Sequence, residues 1–223
     1  MKEEKYGKML TIMLIIIVAI LIILIGFFVV RVYTNSKGNK EAEKAVDQYI
    51  NRVGNKNEVT LELQDDPDLP NISMDENEIQ QTQTSSGTTK TTYKGYNVIG
   101  TIEIPKIDLK YPILERATTS SIEVSVAKIY GPGPNQVGNT VIVGHNYRNG
   151  SFFGNNDRLS ENDKIYITDS TGTRLKYNIY KIYTTTPDDG DYMIRDTQGK
   201  REVSLSTCTD NSQNRLIIWA VEE

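Results

Sequence analysis

Apolar residues follow three distinct patterns along this chain. Residues 9–30 form an almost unbroken apolar run, MLTIMLIIIVAILIILIGFFVV. Residues 54–93 are dominated by Asn, Asp, Glu, Gln, Thr and Ser. From residue 96 onward, short apolar runs alternate with turns that contain Gly, Pro or Asn. These patterns predict a long apolar helix, a polar connection and a folded domain.

The apolar run at residues 9–30 is long enough to cross a membrane. At a rise of about 1.5 Å per residue, a helix of this length spans a hydrocarbon core of roughly 30 Å. Arg31 and Tyr33 follow closely, whereas a cleaved signal peptide usually has a shorter apolar core followed by small residues. We therefore predict an uncleaved anchor. Lys and Arg occur on both sides of it, so charge alone does not settle its orientation.

Residues 31–95 are predicted to form a polar linker or stalk. Within it, KEAEKAVDQYINRV at residues 40–53 has apolar side chains at helical spacing and predicts a short amphipathic helix. The sequence does not show what this helix packs against. The remainder has too few large apolar side chains to offset its ordering entropy, and we expect a spacer. A segment that covers a site is the alternative.

The folded domain is predicted to begin at residue 96 and to consist mainly of β-strands. Many short strands with few helices favour a β-sandwich or a closed barrel. One stretch, residues 118–127, has helical spacing, with Thr118 or Thr119 as its N-cap. The predicted strands are residues 98–104, 107–114, 140–144, 164–168, 174–185, 202–207 and 215–221.

The last two predicted strands bring reactive groups together. VSLSTC and RLIIWA both alternate along the chain, and a polar turn joins them. If they form a hairpin, Cys208 and Arg215 lie at facing strand ends, within reach of side-chain contact. Because the thiolate is the nucleophilic form of cysteine, an adjacent permanent cation favours reactivity.

Composition narrows the chemistry further. Cys208 is the only cysteine and His145 the only histidine, and the net charge is -4 without a Lys/Arg cluster. One cysteine cannot form an internal disulfide, and one Cys with one His cannot supply a closed zinc site of about four ligands. Nucleic acid is not an expected partner, because no basic surface is indicated.

His145 ends the apolar run NTVIVGH and precedes a polar loop, which predicts a position at a strand end. Taken singly, each candidate has an ordinary structural interpretation: a surface histidine, a buried cysteine, or an arginine in a salt bridge. Cys208, His145 and Arg215 are nevertheless all predicted at strand ends of one small domain. Together they indicate a cysteine-based catalytic site.

The domain resembles the sortases, which are membrane-anchored cysteine transpeptidases of Gram-positive bacteria. The resemblance covers about residues 98–221. It rests on GTIEIPKIDLKYPIL, on the Gly-His pair at His145, on the strand motif ending in Ser-Thr-Cys at Cys208, and on Arg215. The motif begins with Ser204, where Thr is commoner in the family. The resemblance implies a closed eight-stranded β-barrel with short helices.

The resemblance also implies a reaction. Cys208 would cleave a Leu-Pro-x-Thr-Gly-like sorting signal after its Thr, forming a thioacyl enzyme. His145 would protonate the departing amine and later deprotonate the incoming one. Arg215 would hold the substrate and stabilise the oxyanion, with the backbone around Thr207 assisting. An amino group of a cell-wall precursor would then resolve the thioester, and water would give slow hydrolysis.

Rough correspondence with the family predicts a substrate groove but no cofactor. Tyr192, Met193 and Ile194 would line the groove for Leu-Pro, with Ala127 nearby; ordinary loop anchoring is the alternative. Calcium-activated sortases have carboxylates where this chain has Thr or Arg, so calcium is not favoured. The acidic residues at 188–191 are interpreted as a solvated turn rather than a weak cation site.

The implied setting is a cell surface. Residues 1–8 would be cytoplasmic and residues 96–223 extracellular, with a single membrane span between them. The partners would be surface proteins with C-terminal sorting signals, and the cell-wall amine. The subclass remains open, because the short segment at residues 187–202 resembles class A or D and GHNYRNGSFF resembles class B.

Two other functions remain open. One is an enzyme of the L,D-transpeptidase type, although its Ser-x-Gly-Cys pattern is missing around Cys208. The other is a membrane-tethered interaction domain without catalysis, since a fold alone does not imply a function.

Overall fold

A computed structural model of the chain describes residues 2–62, 91–209 and 212–223. It contains two compact units, Met1–Glu41 and Ala42–Glu223. Most of the predicted spacer falls on residues 63–90, which lie outside the described residues.

The first unit consists of the N-terminal part of a long helix, α1 (Lys2–Glu62), which contains the apolar run. Thr11–Val30 has 20 residues with a mean hydropathy of 3.6, so it is long and apolar enough to cross a membrane. None of this stretch is buried within the protein. Exposed apolar surface of this extent is typical of a segment that contacts lipid or another protein.

The second unit consists mainly of strands. Among the described residues of this unit, α2 (Thr119–Ile122) is the one α-helix besides the end of α1. The strands are β1 (Thr92–Tyr93), β2 (Tyr96–Ile104), β3 (Leu109–Leu114), β4 (Val126–Tyr130), β5 (Gly138–Val143), β6 (Lys164–Asp169), β7 (Arg174–Thr185), β8 (Arg201–Cys208) and β9 (Arg215–Glu222).

Eight of these strands close into a barrel. The sheet order is β1-β2-β3-β4-β5-β8-β9-β7-β6, and β6 also pairs with β2. The pairs β3–β4 and β5–β8 are parallel, and the other pairs are antiparallel. Closure removes the free edges of β2 to β9. The predicted eight-stranded barrel is confirmed, and β1 is a two-residue addition to β2.

Alternation along the strands separates the barrel core from its outer face. In β8, Val203 and Leu205 join the apolar core, while Ser204 and Ser206 point to the opposite face. The side chains that fill the core include Ile102, Ile104, Ile113, Ile142, Ile165, Ile167, Ile179 and Ile218. The outer face of β8 is therefore where polar and reactive groups are placed.

The end of α1 packs on the barrel. Its buried residues are three or four positions apart, namely Ala42, Val46, Tyr49 and Val53. Tyr49 and Val53 belong to a cluster with Leu114 and Ala127 of the barrel. The amphipathic stretch at residues 40–53 is thus helical, and the barrel is its partner. The compact unit begins at Ala42, well before residue 96, where the sequence predicts the domain to start.

The stretch predicted as one helix, residues 118–127, is divided between two elements. Thr118 is the N-cap of α2: its Oγ1 accepts from Ser121 N at 3.1 Å, and Ser121 Oγ accepts from Thr118 N at 2.8 Å. The predicted cap is confirmed, but the predicted length is wrong, because β4 begins at Val126 and pairs with β3 and β5. Tertiary pairing overrides the local helical spacing here.

Candidate active site

The thiol of Cys208 and the guanidinium of Arg215 are in direct contact. The two residues form the end pair of the β8–β9 hairpin, and Arg215 Nη1 lies 3.1 Å from Cys208 Sγ. Cys208 is a free, half-buried thiol. The predicted contact across the strands is confirmed, and it places a permanent positive charge against the sulfur.

His145 lies just beyond the end of β5, which runs parallel to β8. Val143 is opposite Ser206 in this pairing, so continuing the register by two residues brings His145 alongside Cys208. The next residue is tied to the same strand, because Asn146 Nδ2 donates to the Cys208 carbonyl oxygen at 2.9 Å. The histidine and the cysteine therefore lie on neighbouring segments.

Gly144 holds β5 against β8 immediately before the histidine. Its N–H donates to Ser206 O at 3.3 Å, and its carbonyl accepts from Thr207 Oγ1 at 2.8 Å. A Cβ at this position would lie only 2.9 Å from Val126 Cγ1 and 3.0 Å from Phe153 Cδ2. Glycine is thus needed where neighbouring side chains approach the backbone.

A carboxylate stands next to the imidazole. Glu123 Oε1 lies 3.2 Å from His145 Nε2. This distance is short enough for an ion pair, but the two groups do not have the geometry of a hydrogen bond. The buried Nε2 therefore has no hydrogen-bond partner among the described residues. The other oxygen of Glu123 accepts a hydrogen bond from the Tyr147 hydroxyl. The Glu123 side chain is 56% exposed, so the carboxylate faces both the imidazole and the solvent.

Tyr147 packs on the imidazole ring. The ring centroids of Tyr147 and His145 are 5.1 Å apart with an interplanar angle of 34°, and Phe152 lies on Tyr147 at 5.4 Å. Burial, followed by the hydrogen bond to Glu123 and its charge, raises the pKa of Tyr147 to about 12. The hydroxyl therefore remains a hydrogen-bond donor to Glu123 throughout the neutral range.

A row of paired positions crosses the outer face of the sheet two residues before Cys208. It consists of Ala127, Val143, Ser206 and Ile217. The Tyr192 hydroxyl lies 3.3 Å from Ser206 Oγ, and Tyr192 packs with Ile217. The structure thus brings the Tyr192 hydroxyl to Ser206, two residues before the candidate nucleophile. Ala127 is fully buried in the cluster that contains Tyr49, so helix α1 covers this end of the row.

The other residues predicted to bind substrate are placed differently. Thr207 faces inward with 3% exposure, and its hydroxyl is bonded to Gly144, so only its backbone could meet a substrate. Met193 and Ile194 line a cavity near the start of β5, at the end of this strand away from His145. Ile194 is 74% exposed. The structure does not bring these side chains to Cys208.

Arg195 anchors the loop between β7 and β8, residues 186–200, to the outer face. It forms an ion pair with Glu202, and the two side chains are only 13% and 9% exposed. Its Nη2 also donates to Asn139 Oδ1 at 3.1 Å and to Ser204 Oγ at 3.2 Å. Burial lowers the pKa of Arg195, although a guanidinium stays protonated in proteins.

Asn139 extends this anchor to the residues of the predicted groove. Its Nδ2 donates to the carbonyl oxygens of Tyr192 at 3.1 Å and Met193 at 3.0 Å. Because Tyr192 in turn contacts Ser206, a continuous polar network connects the loop with the strand that ends in Cys208.

Three polar residues near His145 are absent from the sequence-based predictions: Glu123, Asn146 and Tyr147. Asn146 and Tyr147 directly follow the histidine, and this adjacency is a signal that points to them. Glu123 belongs to the end of α2, and no local sequence signal connects it with the histidine.

The described residues contain no group of three or more His, Cys, Asp or Glu side chains that could hold a metal ion. In the acidic turn, Asp189 accepts hydrogen bonds from Thr185 Oγ1 and, at 2.9 Å, from Asp191 N. These bonds, the one from Thr185 first, lower the pKa of Asp189. Independence from metal remains a prediction.

Comparison with known proteins identifies the class. The family model "Sortase domain" matches residues 102–223. Sortase A of Bacillus anthracis is 32% identical over 127 residues, which are 54% of this chain and 58% of that protein. A lid mutant of sortase A from Corynebacterium diphtheriae is 31% identical, with a TM-score of 0.52, and the match covers 57% of this chain and 71% of that one.

A sortase D5 transpeptidase of Clostridium perfringens has a TM-score of 0.57 and 24% identity, over 82% of this chain and 99% of that one. At this identity the likeness shows the fold alone. The fold is therefore that of the sortase barrels. Because the family model matches more than half of the residues, the chain belongs to the sortase family, which decides against the L,D-transpeptidase alternative.

The chain spans only 58% and 56% of the lengths of the curated relatives from Bacillus anthracis and Listeria monocytogenes. This partial match does not transfer the activity, substrates or partners of those relatives to this chain.

Proposed function

We propose that this protein is a membrane-anchored cysteine transpeptidase that cleaves a Leu-Pro-x-Thr-Gly-like sorting signal after its Thr. The observation that carries the proposal is the 3.1 Å contact between Arg215 Nη1 and Cys208 Sγ. The position of His145 on the neighbouring segment adds a proton donor and acceptor to this pair.

In the first half-reaction, the sulfur of Cys208 attacks the carbonyl carbon of the substrate Thr. The peptide C–N bond breaks, and a thioester forms. His145 gives a proton to the departing amine and becomes neutral. Arg215 stabilises the oxyanion of the tetrahedral intermediate, because its guanidinium provides fixed, permanently charged donors.

In the second half-reaction, an amino group of a cell-wall precursor attacks the thioester. His145 accepts a proton from this amine, a C–N bond forms, and the C–S bond breaks to restore Cys208. Water in place of the amine gives slow hydrolysis as a side reaction. The products are a surface protein joined to the cell wall and an enzyme ready for another cycle.

The membrane attachment is a further part of the proposal. Thr11–Val30 would be the span, with residues 1–8 in the cytoplasm and the barrel outside the cell. This location gives the barrel access to secreted proteins with C-terminal sorting signals and to the cell-wall amine.

Intact-mass spectrometry of the full chain in detergent tests the proposed function. We expect a hydroxylamine-sensitive adduct on Cys208 that carries a Leu-Pro-x-Thr-Gly-like or Asn-Pro-x-Thr-like peptide up to its Thr. Adding an amine should remove it, and EDTA should leave it unchanged. Cys208→Ala is the control and should form no adduct. If no peptide reacts while the wild-type thiol remains alkylatable, a non-catalytic interaction domain becomes the better interpretation.

A further inference from the structure

We propose that Glu123 binds the ammonium group of the incoming acceptor and holds it next to His145. This inference rests on the proposed transpeptidase function and concerns its second half-reaction. It assigns a site for a primary ammonium group to the solvent-exposed side of the Glu123 carboxylate, beside the imidazole.

The position of the carboxylate suits such a site. Glu123 Oε1 is 3.2 Å from His145 Nε2, and the two side chains are 56% and 30% exposed. The carboxylate can therefore be reached from solvent while it faces the imidazole. Nε2 itself is buried and makes no hydrogen bond within the described residues, so its proton-exchange capacity is not taken up by another group of the protein.

Two features hold the carboxylate in this orientation. The Tyr147 hydroxyl donates to Glu123 Oε2, which leaves Oε1 turned toward the histidine. The backbone is fixed as well, because Glu123 is the C-cap residue of α2. That helix is tied down at Ser121, whose Oγ donates to the Arg116 carbonyl at 2.8 Å. A fixed carboxylate is a better ion-binding group than one on a mobile side chain.

The charge of the acceptor explains why a carboxylate is useful here. An α-amino group has a pKa of about 7.7–8.0 and a lysine-like amine about 10.4, so either arrives mainly as a cation at neutral pH. A carboxylate attracts that cation and accepts a charge-assisted hydrogen bond from it. Water and other neutral nucleophiles are not attracted to the carboxylate by charge in this way. Glu123 would therefore favour amine transfer over hydrolysis.

The proton balance is consistent with this role. After acylation of Cys208, His145 is neutral because it has protonated the leaving amine. The bound ammonium passes one proton to the imidazole, and the carboxylate of Glu123 then faces an imidazolium in place of the ammonium. The free amine attacks the thioester, the C–N bond forms, and the C–S bond breaks. The second proton lost by the nitrogen passes to solvent, so the enzyme returns to the thiolate and imidazolium with which the cycle began.

The test compares two nucleophiles on the same thioacyl enzyme. The full chain in detergent is acylated with the reactive sorting peptide, and its release is measured at neutral pH with glycinamide, which is mainly cationic, and with water alone, which is uncharged. For Glu123→Gln, we expect the ratio of the glycinamide to the hydrolysis rate constant to fall about five- to tenfold. Glu123→Asp should recover part of the loss.

The ratio separates acceptor binding from a general effect on the imidazole, since His145 serves as the general base for the amine and for water alike. Glu161→Gln is the matched control: it removes an exposed carboxylate in the turn before β6, and its ratio should equal that of the wild type. If Glu123→Gln slows both nucleophiles equally, or neither, the acceptor site is overturned while the proposed function stands. If the wild type forms no thioacyl enzyme, the proposed function itself fails.

Discussion

Two residues next to Cys208 contribute to the site in different ways. Thr207 points inward, and its hydroxyl satisfies the buried carbonyl of Gly144. Arg215 points its guanidinium at the sulfur. The first contact holds two parallel strands together, and the second places charge at the candidate nucleophile, so the two residues should respond to substitution in different measurements.

Thr207→Val should lower the free energy of unfolding by about 1–3 kcal/mol, because the buried Gly144 carbonyl loses its side-chain donor. Urea unfolding of the variant measures this change. Thr184→Val, at an exposed position in β7, is the control and should unfold like the wild type. An unchanged midpoint for Thr207→Val would mean that this hydrogen bond does not stabilise the strand pair.

Arg215→Lys should lower the rate of thioacyl formation by about tenfold or more, because lysine keeps the charge but loses the planar pair of donors. The rate is followed by intact mass after mixing with the sorting peptide. Arg174→Lys, which changes an exposed ion pair with Glu103, should react normally. Full activity in Arg215→Lys would reduce Arg215 to a general source of positive charge.

At the scale of elements, two segments attached to the outside of the barrel decide the shape of the site. The loop at residues 186–200 is fixed by Arg195 and Asn139, and it carries Tyr192 to Ser206 on the outer face of β8. The end of α1 covers Ala127 through Tyr49 and Val53. Both attachments bury residues that are distant from each other in the sequence.

Arg195→Met should destabilise the protein by about 3 kcal/mol, because it leaves the Glu202 carboxylate buried without its partner. It should also raise the KM for the sorting peptide more than it lowers kcat, since the loop loses its anchor. Arg201→Met is the control, because its ion pair with Glu222 is 41% and 27% exposed and should contribute at most about 1 kcal/mol. Equal urea midpoints for the two variants would refute the anchoring role.

Tyr49→Ala should lower the free energy of unfolding of the barrel by about 3–4 kcal/mol, because a large side chain with 2% exposure is removed. Gln48→Ala, at the exposed neighbouring position, should have little effect. The measurement is urea unfolding followed by the fluorescence of the single tryptophan, Trp219. Loss of less than about 1 kcal/mol would show that α1 is not part of the barrel's cooperative unit.

At the scale of the whole molecule, buried tyrosines connect stability to pH. Burial is the first cause of the raised pKa values of Tyr49, Tyr111, Tyr147 and Tyr177. In the unfolded chain these phenols titrate near pH 10. Because the folded state holds the protons more tightly, this contribution is fully present below about pH 10 and is lost as pH rises above it.

We therefore expect the urea midpoint to fall between about pH 10 and pH 12. Tyr177→Phe should make this fall shallower, since it removes one of the buried phenols, whereas Tyr130→Phe at an exposed position should leave its slope unchanged. A midpoint that is constant across this range would contradict the contribution of buried tyrosines.

Whether a contact can be predicted from the sequence depends on how far apart along the chain the two interacting residues lie. The contact between Cys208 and Arg215 is predictable because one polar turn joins two alternating strands. The cap at Thr118 is predictable for the same local reason. Strand β4 is missed because helical spacing at residues 118–127 is the stronger local signal, and only pairing with β3 and β5 makes Val126 part of a strand.

The sequence by itself determined the apolar helix, the mainly β domain, the hairpin and the identity of the unique cysteine and histidine. These features depend on composition or on neighbours along the chain. Only the tertiary structure decided that Glu123 faces His145, that Arg195 pairs with Glu202, and that α1 covers the barrel. Each of these three contacts joins two elements that are separate in the sequence. Whether the two elements come together depends on how the barrel closes, and no local sequence pattern predicts that.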